Sequence, residues 1–168
     1  RAQAARRHGQ QEHRAGHEPR ELYAALNDHL PSPERPLQGE EFITGSEHTF
    51  ESVSVGGKVV WSSSSYYLPG PLEVLETPWI QYCVLLPREP IPAHATRFAA
   101  LNARALQALG METGLSHMEW FIRPDGTPVI SEVGARPPGV HLMPMMGLAH
   151  GVDMWDAWVK LMTDSYTH

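Results

Sequence analysis

A hairpin that sets two glutamates opposite one another constrains this chain more than any other feature. The run is HMEWFIRPDGTPVISEVGAR, residues 117–136. Asp125-Gly126 reads as a two-residue hairpin loop, and with that loop Glu119 faces Glu132 directly. The pair falls on a non-hydrogen-bonded site, where Cα atoms approach to about 4.5 Å. Like charges opposed on one sheet face destabilise it. At that range the repulsion is about 1 kcal/mol in water and about 4 at an effective dielectric of 20. A divalent cation turns this liability into a site, and two hard oxygen donors, with water or phosphate completing the shell, suit Mg²⁺. The same spacing also describes a surface hairpin with two solvated acids, and a bulge near Pro128 would spoil the register.

Alternation assigns the two faces of the hairpin. Met118, Trp120, Ile122, Val129 and Val133 point to one side, which reads as core. His117, Phe121 and Ile130 share the glutamate side, so a carboxylate pair lies beside an apolar floor. That combination suits a nucleotide, with metal at one end and a stacked base at the other. Arg136 follows Glu132 in a loop stiffened by Pro137 and Pro138. A guanidinium there can clamp phosphate or carboxylate oxygens with paired hydrogen bonds.

Composition narrows the function classes. A length of 168 residues supports a single domain with a real core. A formal net charge of -6 argues against a general nucleic-acid binder. Arginines gather near the start, but no aromatics interleave with them. The single cysteine, Cys83, excludes an internal disulfide framework and fits a reducing, cytoplasmic setting. Within WIQYCVLL it reads as a buried, inert thiol. No stretch reaches the roughly 18 apolar residues of a membrane span, and no apolar signal-peptide core follows the basic start. An opening on arginine fits processing or a chain that lacks its true beginning.

Along the chain, residues 1–17 read as a polar tail or loop. His8, His13 and His17 within it match no usual metal-ligand spacing. EPRELYAALNDHL, residues 18–30, predicts a short amphipathic helix with Leu22, Leu26 and Leu30 on one face. Strands are expected at about 40–44, 48–55 and 58–67, with Gly56-Gly57 as a tight turn. Trp79–Leu86 is a buried-strand candidate. Residues 93–109 give the clearest helix, with Phe98, Leu101, Ala105 and Leu109 on one face and Gly110 ending it. Two methionine- and tryptophan-rich helices split near Gly151 close the chain, their methionines reading as core filler. The irregular alternation of strands and helices predicts an α+β fold.

The hairpin together with EEFITGSE resembles the ATP-grasp superfamily, ligases that activate carboxylates with ATP. The resemblance covers about residues 18–164, and the order of its motifs is more specific than any one of them. It implies an antiparallel sheet with flanking helices. Residues 18–78 become the remainder of the small lobe and 79–168 the large lobe with the acidic hairpin. By the same resemblance Glu119 and Glu132 are the Mg²⁺ ligands, with Mn²⁺ an alternative. Glu40, Glu41, Phe42 and Ile43 form the adenine hinge, and Glu47 lies nearer ribose and triphosphate. Phe121 packs against the base, and Arg136 reaches the transferring phosphate or the substrate carboxylate. His117 partners the metal face or carries a proton; a structural histidine is the other reading. His141 follows the Pro-Pro-Gly loop, where substrate contact is a guess. The H-x-E form and the GARPPG loop look most like the branch that joins amino acids and related acids to amines.

Departures from the family pattern matter as much. Its phosphate lysine and glycine-rich loop have no counterpart here: Lys58 adjoins the Gly-Gly turn and Lys160 lies in the terminal helix. RAQAARRHGQQEHRAGH stands where the glycine loop is expected. The family's N-terminal domain has no counterpart either, so the chain reads as an incomplete ATP-grasp fold, the C-terminal part of a longer enzyme. The implied partners are small carboxylate and amine substrates, not nucleic acid or membrane, and a homo-oligomer is compatible. Two rivals stay open. One is a truncated or degenerate nucleotide-binding module without activity of its own. The other is a metal-dependent hydrolase, which would lack the hinge strand and turn over without consuming ATP.

Overall fold

The structure, a computed structural model, describes residues 16, 18–70, 73–74, 77, 79–81, 83–89, 92–139 and 141–164, with backbone alone for 92–97. The chain divides into two compact units, Arg1–Thr44 and Gly45–His168. The expected lobe break at residues 78–79 therefore falls inside the second unit. The tail with His8, His13 and His17 lies outside the described residues.

In the first unit, helix α1 spans Pro19–His29. Proline opens it well, because its missing N–H falls in the turn whose donors have no helical partner. Its apolar stripe is weaker than the spacing suggests. Leu22 is exposed, and Leu30 stands at the C-cap in the left-handed region with φ 45°, which takes it off the helical face. Residues 36–44 carry no regular secondary structure. The strand expected at 40–44 is thus not formed: Glu40, Glu41, Phe42 and Ile43 lie outside the strand ladders of the described residues. An extended segment becomes a strand only when a neighbour accepts its hydrogen bonds.

The second unit is built on a five-stranded antiparallel sheet. Its strands are β1 (Ser46–Val55), β2 (Lys58–Leu68), β3 (Cys83–Leu85), β4 (Gly114–Ile122) and β5 (Pro128–Gly134), in the order β3-β2-β1-β4-β5. Its helices include α2 (Pro92–Ala108), α3 (Leu142–His150) and α4 (Met154–Asp164). The α+β reading with an antiparallel sheet holds. Gly56 and Gly57 both adopt positive φ, 54° and 77°, and so close the β1–β2 hairpin with the twist that strands favour.

One sheet face packs against α2. Phe98 and Leu106 join Phe50, Met118 and Trp120, with the Phe98 and Trp120 rings stacked 3.6 Å apart between centroids. Burying each such side chain contributes about 1.5–3 kcal/mol. The buried stripe of α2 runs through Phe98, Asn102 and Leu106, whereas Leu109 is 66% exposed. Asn102 takes the central place because its amide donates to the Ser52 hydroxyl at 2.8 Å, which meets part of the cost of burying it. On the other face Leu115 packs with Met143, Met146 and Met154, confirming the methionines as core.

The Trp79–Leu86 expectation fails. Among the described residues of this segment Cys83–Leu85 alone forms a strand, at the sheet edge, and Trp79 is 83% exposed. Cys83 is exposed rather than buried. An apolar run predicts burial only when something covers both faces, and an edge strand leaves one side open.

Candidate functional site

The β4–β5 hairpin delivers the expected pairing by an unexpected route. The Arg123 N–H donates to the Thr127 carbonyl at 3.0 Å, and the Gly126 N–H to the Arg123 carbonyl at 2.8 Å, so the loop holds three residues, Pro124, Asp125 and Gly126. Gly126 carries the positive φ, 81°, that such a loop needs. Near the turn Phe121 pairs with Val129 and Trp120 with Ile130. The register then shifts between Glu119 and Trp120, leaving Ser131 as the additional residue, and Glu119 meets Glu132. A bulge restores the pairing that the longer loop displaced. The shift exchanges two residues between faces. Ile130 packs with the core against Met118 and Trp120, and Val129 stands beside Phe121 on the glutamate face.

Pairing between β1 and β4 widens the face. Glu47 stands opposite Phe121, Thr49 opposite Glu119, and Glu51 opposite His117. Side chains alternate along a strand, so Glu47, Thr49 and Glu51 share the face of His117, Glu119 and Phe121. The sheet thus presents a row Ser65–Thr49–Glu119–Glu132 and, next to it, a row Ser63–Glu51–His117–Gly134. Gly45 leads into β1 because a Cβ there would stand 2.2 Å from the Ile122 carbonyl oxygen.

Hydrogen bonds lock the floor of this face. His117 Nδ1 lies 2.8 Å from Glu51 Oε1, and its Nε2 lies 3.5 Å from Glu119 Oε1. Glu51 is fully buried, while the Glu119 side chain keeps 34% of its surface exposed. The Thr49 hydroxyl donates to Glu51 Oε2 at 3.2 Å and sits 2.6 Å from the Ser65 hydroxyl. Further along the face, Ser63 Oγ lies 3.3 Å from His150 Nε2, and the His150 ring meets Trp61 edge-on.

Electrostatics follow from that geometry. Burial opposes an imidazolium at His117, but the hydrogen bonds to Glu119 and Glu51, and their charges, outweigh it and raise its pKa to about 9. His117 is therefore cationic at neutral pH. Glu47 moves up to about 7, first through burial and then through the charge of Glu119. It packs against Gly70, whose Cβ position would lie 3.4 Å from its Oε2. One imidazolium thus stands among four carboxyl groups, Glu47, Glu51, Glu119 and Glu132.

Arg136 lies exposed beyond β5. Its side chain folds over Gly134, 3.3 Å from where a Cβ would be, and donates to the Pro137 carbonyl at 3.0 Å. It therefore starts next to the His117 row, because Gly134 is the cross-strand partner of His117. His141 adopts φ 60° at the N-cap of α3. Glu40, Glu41, Phe42 and Ile43, expected as the hinge, belong to the first compact unit.

Among the described residues no group of three metal-ligating side chains comes together. The donor set still fits a hard cation of low protein coordination: two facing carboxylates, solvent access at Glu119, and an acid excess around them. Glu51 was not foreseen. Its signal was the period-two run Glu47, Thr49, Glu51 in EHTFE, three polar residues on one strand face.

No family model matches the chain, and neither does any curated protein by sequence. Solved structures do. An L-amino acid ligase from Bacillus licheniformis superposes with a TM-score of 0.59 at 23% identity, over 85% of this chain and 34% of that one. A D-alanine–D-alanine ligase from Bacillus anthracis complexed with ATP gives 0.59 at 18% identity, over 88% of this chain and 48% of that one. The ATP-grasp ligase PsnB, with a precursor variant, Mg and ADP, gives 0.57 at 15% identity, over 96% of this chain and 46% of that one. The chain spans between about a third and a half of these proteins. Over the part it spans, this chain has the ATP-grasp fold.

Proposed function

We propose that this chain provides the acidic face of an ATP- and Mg²⁺-dependent ligase that activates a carboxylate as an acyl phosphate for attack by an amine. The observation that carries the reading is the Glu119–Glu132 pair, set beside Glu47 on a face whose floor is locked by Glu51 and His117. Glu119 and Glu132 would hold the cation, with Mn²⁺ an alternative. When bound, Mg²⁺ supplies charge neutralisation to the phosphate oxygens. Phe121 and its partner Val129 give the base an apolar surface. The exposed Arg136 guanidinium, which donates to the Pro137 carbonyl here, would turn toward the transferring phosphate or the substrate carboxylate. His117 is the cation next to Glu119 and Glu51 and offsets the carboxylates while the site is open. Adenine contact by Glu40, Glu41, Phe42 and Ile43, ribose or triphosphate contact by Glu47, and an amino acid or related acid as substrate belong to the same proposal. The L-amino acid and D-alanine ligases among the structural neighbours support that substrate class.

A second reading has its own observation. Neither lysine stands beside the glutamate pair: Lys58 begins β2 at the Gly-Gly turn, opposite Val55, and Lys160 pairs with Asp156 at 2.7 Å on α4. That favours a nucleotide-binding module without turnover of its own. Isothermal titration with ATP, in Mg²⁺ and then in excess chelator, tests the binding that both readings share. Mg²⁺-dependent heat is expected. Equal binding in chelator removes Glu119 and Glu132 from the nucleotide site.

A further inference from the structure

Four polar side chains below the facing glutamates form a connected path that stands apart from the metal-ligating pair itself. It begins at the Ser65 hydroxyl, 2.6 Å from Thr49 Oγ1. Thr49 donates to Glu51 Oε2 at 3.2 Å, and Glu51 Oε1 meets His117 Nδ1 at 2.8 Å. His117 Nε2 then faces Glu119 Oε1 at 3.5 Å. Ser65, Thr49 and Glu51 are all completely buried. A carboxylate in such a place costs several kcal/mol unless its oxygens are satisfied, so the sequence keeps Glu51 there against a steady penalty. Both of its oxygens are occupied, one by Thr49 and one by His117. Neither can reach a ligand directly.

We propose that Glu51 is a positioning residue: held by Thr49 and Ser65, it fixes the His117 ring, and through that ring the carboxylate of Glu119. The proposal rests on the reading of Glu119 as a cation ligand. Three strands contribute, β2 through Ser65, β1 through Thr49 and Glu51, and β4 through His117 and Glu119, so the path fixes Glu119 relative to the middle of the sheet rather than to its own strand. Glu132 lies exposed on the edge strand, with no such support from below among the described residues. The two carboxylates are thereby unequal: Glu119 is the fixed ligand, and Glu132 is the one free to adjust. Groups that orient a ligand commonly change metal affinity by about 10- to 100-fold when removed.

The test uses Mn²⁺ binding to the 168-residue chain, read by electron paramagnetic resonance, with circular dichroism to confirm folding. Glu51→Gln keeps an acceptor for the His117 N–H and should stay within about threefold of wild type. Glu51→Val removes it and should weaken Mn²⁺ at least about tenfold, the lower edge of the range for such groups. Thr49→Val, close in shape but without the hydroxyl, should weaken it severalfold, and it carries the test if Glu51→Val does not fold. Unchanged affinity in a folded Glu51→Val or Thr49→Val protein overturns the proposal. So does a Glu51→Gln protein as weak as Glu51→Val, because removal of a nearby negative charge would then explain both. Glu119→Gln separates the two levels: if it leaves Mn²⁺ binding intact, the ligand assignment fails, whatever Glu51 does.

Discussion

Stability should fall as pH rises across the slightly alkaline range, and His117 should be the cause. Its pKa stands near 9 in the fold, against about 6.5 in an open chain. A base whose folded pKa is raised contributes stability that is complete below its unfolded value and lost as pH rises through the folded one. The window is therefore about pH 6.5 to 9. At roughly 1.4 kcal/mol per tenfold change in the protonation constant, the loss is about 3 kcal/mol. That figure is an upper bound, because solvent reaches the partly exposed Glu119 side of the ring and screens that partner. Glu47 pulls the same way at lower pH: its pKa is raised, so its contribution is lost as pH rises from its ordinary value through about 7. Measuring from pH 7 upward isolates His117. The assay is urea unfolding followed by tryptophan fluorescence at pH 7, 8 and 9.5. The control is the double variant Glu51→Gln/His117→Gln, which removes both charges together and leaves neither buried alone. Wild type should lose about 2 kcal/mol over this range and the double variant much less. Equal slopes in the two proteins would refute the assignment of a buried imidazolium.

Other outcomes follow from the same geometry. Glu132→Gln should slightly stabilise the fold in the absence of metal, by up to about 1 kcal/mol, since it relieves a like-charge pair; a fall in melting temperature would count against that repulsion. Gly45→Ala should destabilise the second unit by at least about 2 kcal/mol, because its Cβ would stand 2.2 Å from the Ile122 carbonyl oxygen and β1 must shift; thermal unfolding measures it. Arg136→Lys, in whatever assembly turns over ATP, should lower kcat at least about tenfold with the melting temperature nearly unchanged; unchanged kinetics would leave Arg136 a surface residue. The 168-residue chain alone should release no ADP with any carboxylate and amine pair, and robust ligation would show that the lysine and glycine loop are dispensable.

How much of this was legible in the sequence depended on whether the signal was local. Gly56-Gly57 and Asp125-Gly126 marked their turns because positive φ leaves a compositional trace. Helix α2 was readable to within a residue at each end, from its period and from Gly110. The glutamate pairing was right although the loop was one residue longer than expected, since Ser131 compensated. A single bulged residue has no compositional signature, so the exchange of Val129 and Ile130 was invisible. The polar floor was invisible for another reason. The Glu51–His117 bond joins residues 66 apart in sequence, and only the pairing of β1 with β4 brings them together. Asn102 falls in the same class, a polar residue on a buried helical face whose partner, Ser52, lies 50 residues away. The strand expected at 40–44 is not formed, since strand propensity alone does not make a strand.

The central claim is that Glu119 and Glu132 together hold a divalent cation that carries a nucleotide. Diffraction from a crystal grown with Mn²⁺ and a non-hydrolysable ATP analogue tests it most directly. An anomalous peak is expected between the two carboxylates, within about 2.3 Å of an oxygen from each, with phosphate or water completing the shell. A peak bound elsewhere, or a bound nucleotide with neither glutamate in its metal shell, would contradict it.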